Sequence, residues 1–105
     1  MEIEHIVREF KQKISELYGA RLKKIVLYGS YARGQANDEH SDIDLAVVLA
    51  GTVEPCREID RMIDIITDIN LDHDVLLSVY PVSENDYHSV NSPLLLNLRR
   101  EANPV

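Results

Sequence analysis

Apolar residues recur along this chain with two different periods, and the switches between them mark out its elements. Ile3, Ile6, Val7, Phe10, Ile14 and Leu17 keep the three-four spacing of one helical face, and Gly19 supplies a C-terminal stop. A strand is then predicted from about Lys24 to Tyr28. It breaks at Gly29-Ser30, where a glycine lets the backbone turn sharply, and a short helix follows through Ala32. Ile43 to Leu49 reads as a second strand, closed by Gly51-Thr52. Pro55 suits the first turn of a helix whose apolar stripe is Ile59, Met62, Ile63, Ile66 and Ile69. The run LDHDVLLSVYPVS predicts a third strand beginning near Asp74. Alternation puts Val75, Leu77 and Val79 on one of its faces and Asp74, Leu76, Ser78 and Tyr80 on the other. A polar connection leads to a terminal helix opening at Ser92-Pro93. Leu94, Leu95, Leu96 and Leu98 exceed what one buried face of so short a helix needs, so they either cap the core or leave some side chains for a partner.

Helices interleaved with strands make the fold class α/β: a small mixed β-sheet of three or four strands, with helices packed on one face and polar chemistry on the other. At 105 residues the chain suits one domain, 1–105, with room for one core. A composition of 45% hydrophobic and 28% charged residues is that of a folded globular protein and not of a disordered one. The N-terminal MEIEHIVREF is charged and amphipathic, and no apolar run is long enough to span a bilayer, so a cytoplasmic location without a membrane partner is expected. Cys56 is the single cysteine, which excludes an internal disulfide and a multi-cysteine zinc site.

The net charge of −7 is unevenly spread: residues 1–34 hold seven Lys/Arg against four Asp/Glu, and residues 35–105 hold four against fourteen. A long nucleic acid is a poor partner for such a chain, because affinity for it comes largely from basic contacts to phosphates. A nucleoside triphosphate is acceptable if cations offset the acids. Lys23, Lys24 and Arg33 flank the glycine turn, although a solvated strand start is the better reading of the two lysines.

Asp42 and Asp44 open the second strand two residues apart, so both carboxylates leave the same face, with Cα atoms roughly 6.5–7 Å apart. Like charges this close oppose each other's ionisation unless a cation joins them. The fitting chemistry is phosphoryl or nucleotidyl transfer, in which one or two divalent ions bridge carboxylates and phosphates. Mg2+ is the expected ion, since it takes a few carboxylates together with substrate phosphates. Free N–H groups and a hydroxyl at Gly29-Ser30 suit a phosphate tail.

The pattern G-S-Y-A-R-G at 29–34 followed by S-D-I-D-L at 41–45 resembles the nucleotidyltransferases of the DNA polymerase beta superfamily, and within them the minimal nucleotidyltransferases, small proteins often paired with a HEPN-domain partner. Eleven residues separate Ser30 from Asp42, one more than the resemblance leads one to expect, and the extra length falls in the polar Gln35–His40 stretch. The resemblance implies the polymerase beta-like minimal core, with Asp42 and Asp44 as metal ligands and Gly29, Ser30 and Arg33 on the nucleotide. It also implies a third acid opening a later strand, where Asp74 fits better than Asp72; Asp74 would bind the catalytic ion and help remove the acceptor proton. The implied reaction is Mg2+-dependent transfer of AMP from ATP to a hydroxyl, such as a tyrosine of a HEPN ribonuclease toxin silenced by its antitoxin. Transfer to a small hydroxyl compound, as in aminoglycoside nucleotidyltransferases, and neutralisation by binding alone are the alternatives. Homo- and hetero-oligomers are both compatible with the chain. His5 and His88 lack a paired ligand at useful spacing, and His40 and His73 directly precede the acid-bearing strands, where they could adjust local charge or touch a substrate. All four read as bystanders, and Ser30 lacks the base that a serine nucleophile needs.

Overall fold

The computed structural model describes residues 3–29, 42–101 and 103–105. The elements are α1 (Ile3–Tyr18), a 3-10 turn (Gly19–Arg21), β1 (Leu22–Tyr28), β2 (Ile43–Leu49), α2 (Pro55–His73), β3 (Leu77–Ser83), α3 (Glu84–Ser89), α4 (Pro93–Glu101) and the two-residue β4 (Asn103–Pro104). The sheet order is β3-β2-β1-β4. β1 runs antiparallel to both β2 and β4, whereas β2 and β3 are parallel and so require the long crossover that α2 provides. Among the described residues no helix is long and apolar enough to cross a membrane.

β2 is the centre of the molecule, and its alternation sorts the core into two layers. Ile43, Leu45, Val47 and Leu49 face α1 and α2, where they meet Phe10, Ile14, Met62 and Ile69. Ala46 and Val48 face the opposite way, joining Val26, Val82, Tyr87, Leu95 and Leu98. Helices therefore cover both faces: α1 and α2 span one, while the short α3 and α4 cover the far part of the face that carries the acids. The four terminal leucines divide accordingly. Leu95 and Leu98, three apart on α4, are buried, and Leu94 and Leu96 are exposed.

The third strand begins at Leu77 and not near Asp74. Asn70 decides this. Its carbonyl accepts the N–H of Asp74, which ends α2 in the left-handed region (φ 52°, ψ 50°), and also the N–H of Val75 at 3.2 Å. Its side-chain Oδ1 accepts the N–H of Leu77 at 2.9 Å. Val75, Leu77 and Val79 still share the core-facing side, as their alternation predicts, and Ser78 is exposed on the other.

At the opposite end of β2, Arg21 ties the turn, the strand and α2 together. Its guanidinium donates to the carbonyls of Ala50 (3.0 Å) and Thr52 (2.6 Å) and to Glu58 Oε2 (3.1 Å). Tyr18 Oη donates to Glu58 Oε1 at 2.8 Å, so this buried carboxylate is held from two sides. His73 is also engaged: its Nε2 lies 3.1 Å from Glu9 Oε1, joining α2 to α1, and its ring meets His5 edge to face.

Candidate active site

The acid pair is assembled by β-sheet register. Ile43 and Leu45 are fully buried against α1 and α2, which turns Asp42 and Asp44 to the other side of β2. Tyr28, the last residue of β1, pairs with Asp44. The next residue, Gly29, turns into the left-handed region with φ 72° and lies directly over the Asp44 carboxylate. A Cβ built on Gly29 would collide with Asp44 Oδ2 and stand 3.1 Å from Cγ. Two separate requirements therefore fall on one glycine: a backbone angle that L side chains rarely adopt, and a space already taken by a carboxylate. The start of the glycine turn and the acid pair form one structural unit.

On the β3 side, Ile43 N–H donates to the Leu76 carbonyl at 2.9 Å, and Ser78 pairs with Asp44. Leu76 and Ser78 are thus the β3 neighbours of Asp42 and Asp44. Leu76 is 55% exposed, a large apolar side chain left in solvent beside a carboxylate. Tyr28 and Tyr80 border the site further along the same face. Burial, then the Asp44 charge and the nearby Tyr80, push the Tyr28 hydroxyl up to about 12, so it stays protonated at neutral pH and is no base there. None of these four neighbours carries a sequence signal of its own, but strand parity combined with register identifies all of them.

Asp74 lies outside β3. It ends α2 three residues ahead of β3, and among the described residues no group of three or more His, Cys, Asp or Glu side chains could hold a metal ion. The alternation expected to bring Asp74 to the face of Asp42 and Asp44 needed an extended backbone through it, and the Asn70 cap imposes a left-handed one. Ser30, Arg33, the turn's short helix, the Gln35–His40 stretch and His40 lie outside the described residues. Lys24 is at the far end of β1, with its ammonium 4.4 Å from the centre of the Tyr87 ring, and Lys23 is exposed; neither lysine adjoins the glycine turn.

Two carboxylates beside a glycine turn fit a hard divalent cation, which takes its remaining ligands from phosphates and water. A small mixed sheet with such a pair at the start of its central strand defines a nucleotidyl-transfer protein. Residues 7–92 match the nucleotidyltransferase domain family, and the chain belongs to that family. It is a nucleotidyltransferase.

Two proteins of Methanocaldococcus jannaschii, both named as protein adenylyltransferases, are each 38% identical to it. One is aligned over 78 residues, 74% of this chain and 77% of the relative, and the other over 84 residues, 80% and 77%. The fold is similar to that of a toxin–antitoxin solved with AMP-PNP, with a TM-score of 0.62 and 20% identity over 90% of this chain and 68% of the other. It is also similar to the toxin–antitoxin MntA-HpeT, with a TM-score of 0.57 and 20% identity over 90% and 70%.

Proposed function

We propose that this protein transfers AMP from ATP to a tyrosine hydroxyl of a HEPN ribonuclease toxin encoded beside it, and acts as the antitoxin of that pair. The observation that carries the reading is the Gly29 turn closed over Asp44, at the head of the only strand in the described sheet that opens with two acids. Supporting it are the family membership, the relatives named as protein adenylyltransferases and the toxin–antitoxin structures of similar fold.

In the proposed reaction the acceptor oxygen attacks the α-phosphorus of ATP. The bond from that phosphorus to the α–β bridging oxygen breaks, and pyrophosphate leaves. Asp42 and Asp44 would hold Mg2+, which supplies charge neutralisation on the phosphates when bound. Gly29 permits close approach of the backbone to the phosphate tail, and Ser30 and Arg33 complete the grip on it. Tyr28 keeps a neutral hydroxyl beside Asp44. The acceptor proton leaves to a carboxylate of the site or to solvent. Catalysis then rests on positioning and charge, as in phosphoryl transfer generally.

The test is to incubate the neighbouring toxin with α-labelled ATP and Mg2+. Wild-type protein should label a toxin tyrosine and silence the ribonuclease, and Asp42→Asn/Asp44→Asn should lose about 100-fold or more of the labelling rate. An unlabelled toxin alongside labelled small hydroxyl compounds would move the assignment to the small-acceptor class. Full silencing by the double variant would leave an antitoxin that works by contact.

A further inference from the structure

A groove of about 370 Å³ runs between the first half of α2 and β3, the outer strand of the described sheet, with Tyr80 among its lining residues. Ile59, Cys56, Val79 and Pro81 give it apolar walls, and Asp60 stands among them. One helical turn beyond Ile59, Ile63 continues the apolar surface at 45% exposure. Beside it, Asp60, Asp64, Asp68 and Asp72 succeed one another four residues apart, forming one row of exposed carboxylates along α2. Among the described residues none of the four has a cation partner. Like charges at this spacing repel and weaken a helix, so the row costs stability in the isolated chain.

The edge of β3 restricts what can occupy the groove. The N–H of Leu77 points outward and is taken by Asn70 Oδ1, and Pro81, with the same parity, has no N–H to offer. An added strand would find a depleted ladder, so the occupant must seat through side chains. A second copy of the chain would bring one aspartate row against another. An amphipathic helix with apolar and Lys/Arg faces matches both the walls and the charge.

We infer that the α2–β3 groove, with its aspartate row, docks a basic amphipathic helix of the protein that carries the acceptor hydroxyl. The inference rests on the transfer to a partner protein proposed above. It gives that transfer a docking surface on the strand whose other face borders the acid pair, since Val79 pairs with Leu45, one residue past Asp44.

The experiment titrates the purified neighbouring toxin against wild type, Asp64→Lys/Asp68→Lys and Ile63→Glu, all exposed positions, with circular dichroism to verify the fold. Both variants should weaken toxin affinity and raise its KM by about tenfold or more, with kcat and ATP affinity unchanged. Added salt should weaken the wild-type complex and affect the charge-reversed one less. If wild type labels the toxin and both variants do so with an unchanged KM, the docking inference fails and the transfer reading stands. If wild type neither binds nor labels the toxin, both fail. If wild type self-associates and Asp64→Lys/Asp68→Lys shifts that equilibrium, the face belongs to a second copy and the inference is overturned.

Discussion

Gly29 shows how much of this site rests on single residues. An alanine there would carry a left-handed backbone costing about 1–2 kcal/mol, and its methyl would push the Asp44 carboxylate aside. Gly29→Ala should therefore keep its far-UV circular dichroism and lose about 100-fold in the initial rate of labelling from ATP, because a displaced ligand affects the transition state more than the fold. The role of this glycine was legible from the chain, since an apolar strand that ends in glycine ahead of an acid-led strand requires a sharp turn near the carboxylates. Asp74 was not legible in the same way. Its neighbours alternate properly for a strand, and the three residues after it keep that parity, but one hydrogen-bonding side chain, Asn70, ends the helix through Asp74 and starts the strand at Leu77. A residue at such a junction satisfies both readings until the backbone chooses.

Elements are joined here by polar clamps that hydrophobic periodicity does not reveal. The Glu58 carboxylate, 3% exposed, accepts from Tyr18 and from both terminal nitrogens of Arg21. Burial works to raise its pKa, but those hydrogen bonds and the charges of Arg21 and Arg61 outweigh burial and hold it below its ordinary value. Removing Arg21 leaves that carboxylate buried against its remaining partners, and Arg21→Ala should cost about 3 kcal/mol in urea unfolding. The lowered pKa also sets a direction with pH. The contribution of Glu58 is complete above its unfolded value and is lost as pH falls through the lower folded one, so stability should decline below pH 4.5. Glu58→Gln should flatten that decline. Glu9, lowered by its hydrogen bond to His73, adds to the same acid limb and should leave part of it in the variant. At this scale α1, α2, α4 and the first two strands follow from spacing, whereas α3 falls in the stretch read as a polar connection, where Ser83 caps it by accepting the Asp86 N–H. The clamp joins residues 18, 21 and 58, whose proximity only the folded chain creates.

The whole molecule is a sheet covered unequally on its two faces. One is spanned by α1 and α2; on the other, α3 and α4 cover the part where β2 and β1 carry Ala46, Val48 and Val26. Leu98, fully buried, anchors that second cover. Leu98→Ala should cost about 2–4 kcal/mol in thermal or urea unfolding while ATP affinity survives, because the cavity lies at the end of the face away from Asp44. From the terminal leucines alone the two covers could not be told apart, since four apolar positions in five residues do not state which pair points inward. The amino-acid order by itself determined the α/β class, the extent of β2, the acid pair and its glycine turn, because these follow from local periodicity and from backbone angles open only to particular residues. Tertiary structure alone decided that the third strand starts at Leu77 and not near Asp74, that Leu76 and Ser78 are the register neighbours of Asp42 and Asp44, and that Arg21 finds Glu58. Those facts depend on strand register and helix ends, which are set by contacts between residues far apart in the chain.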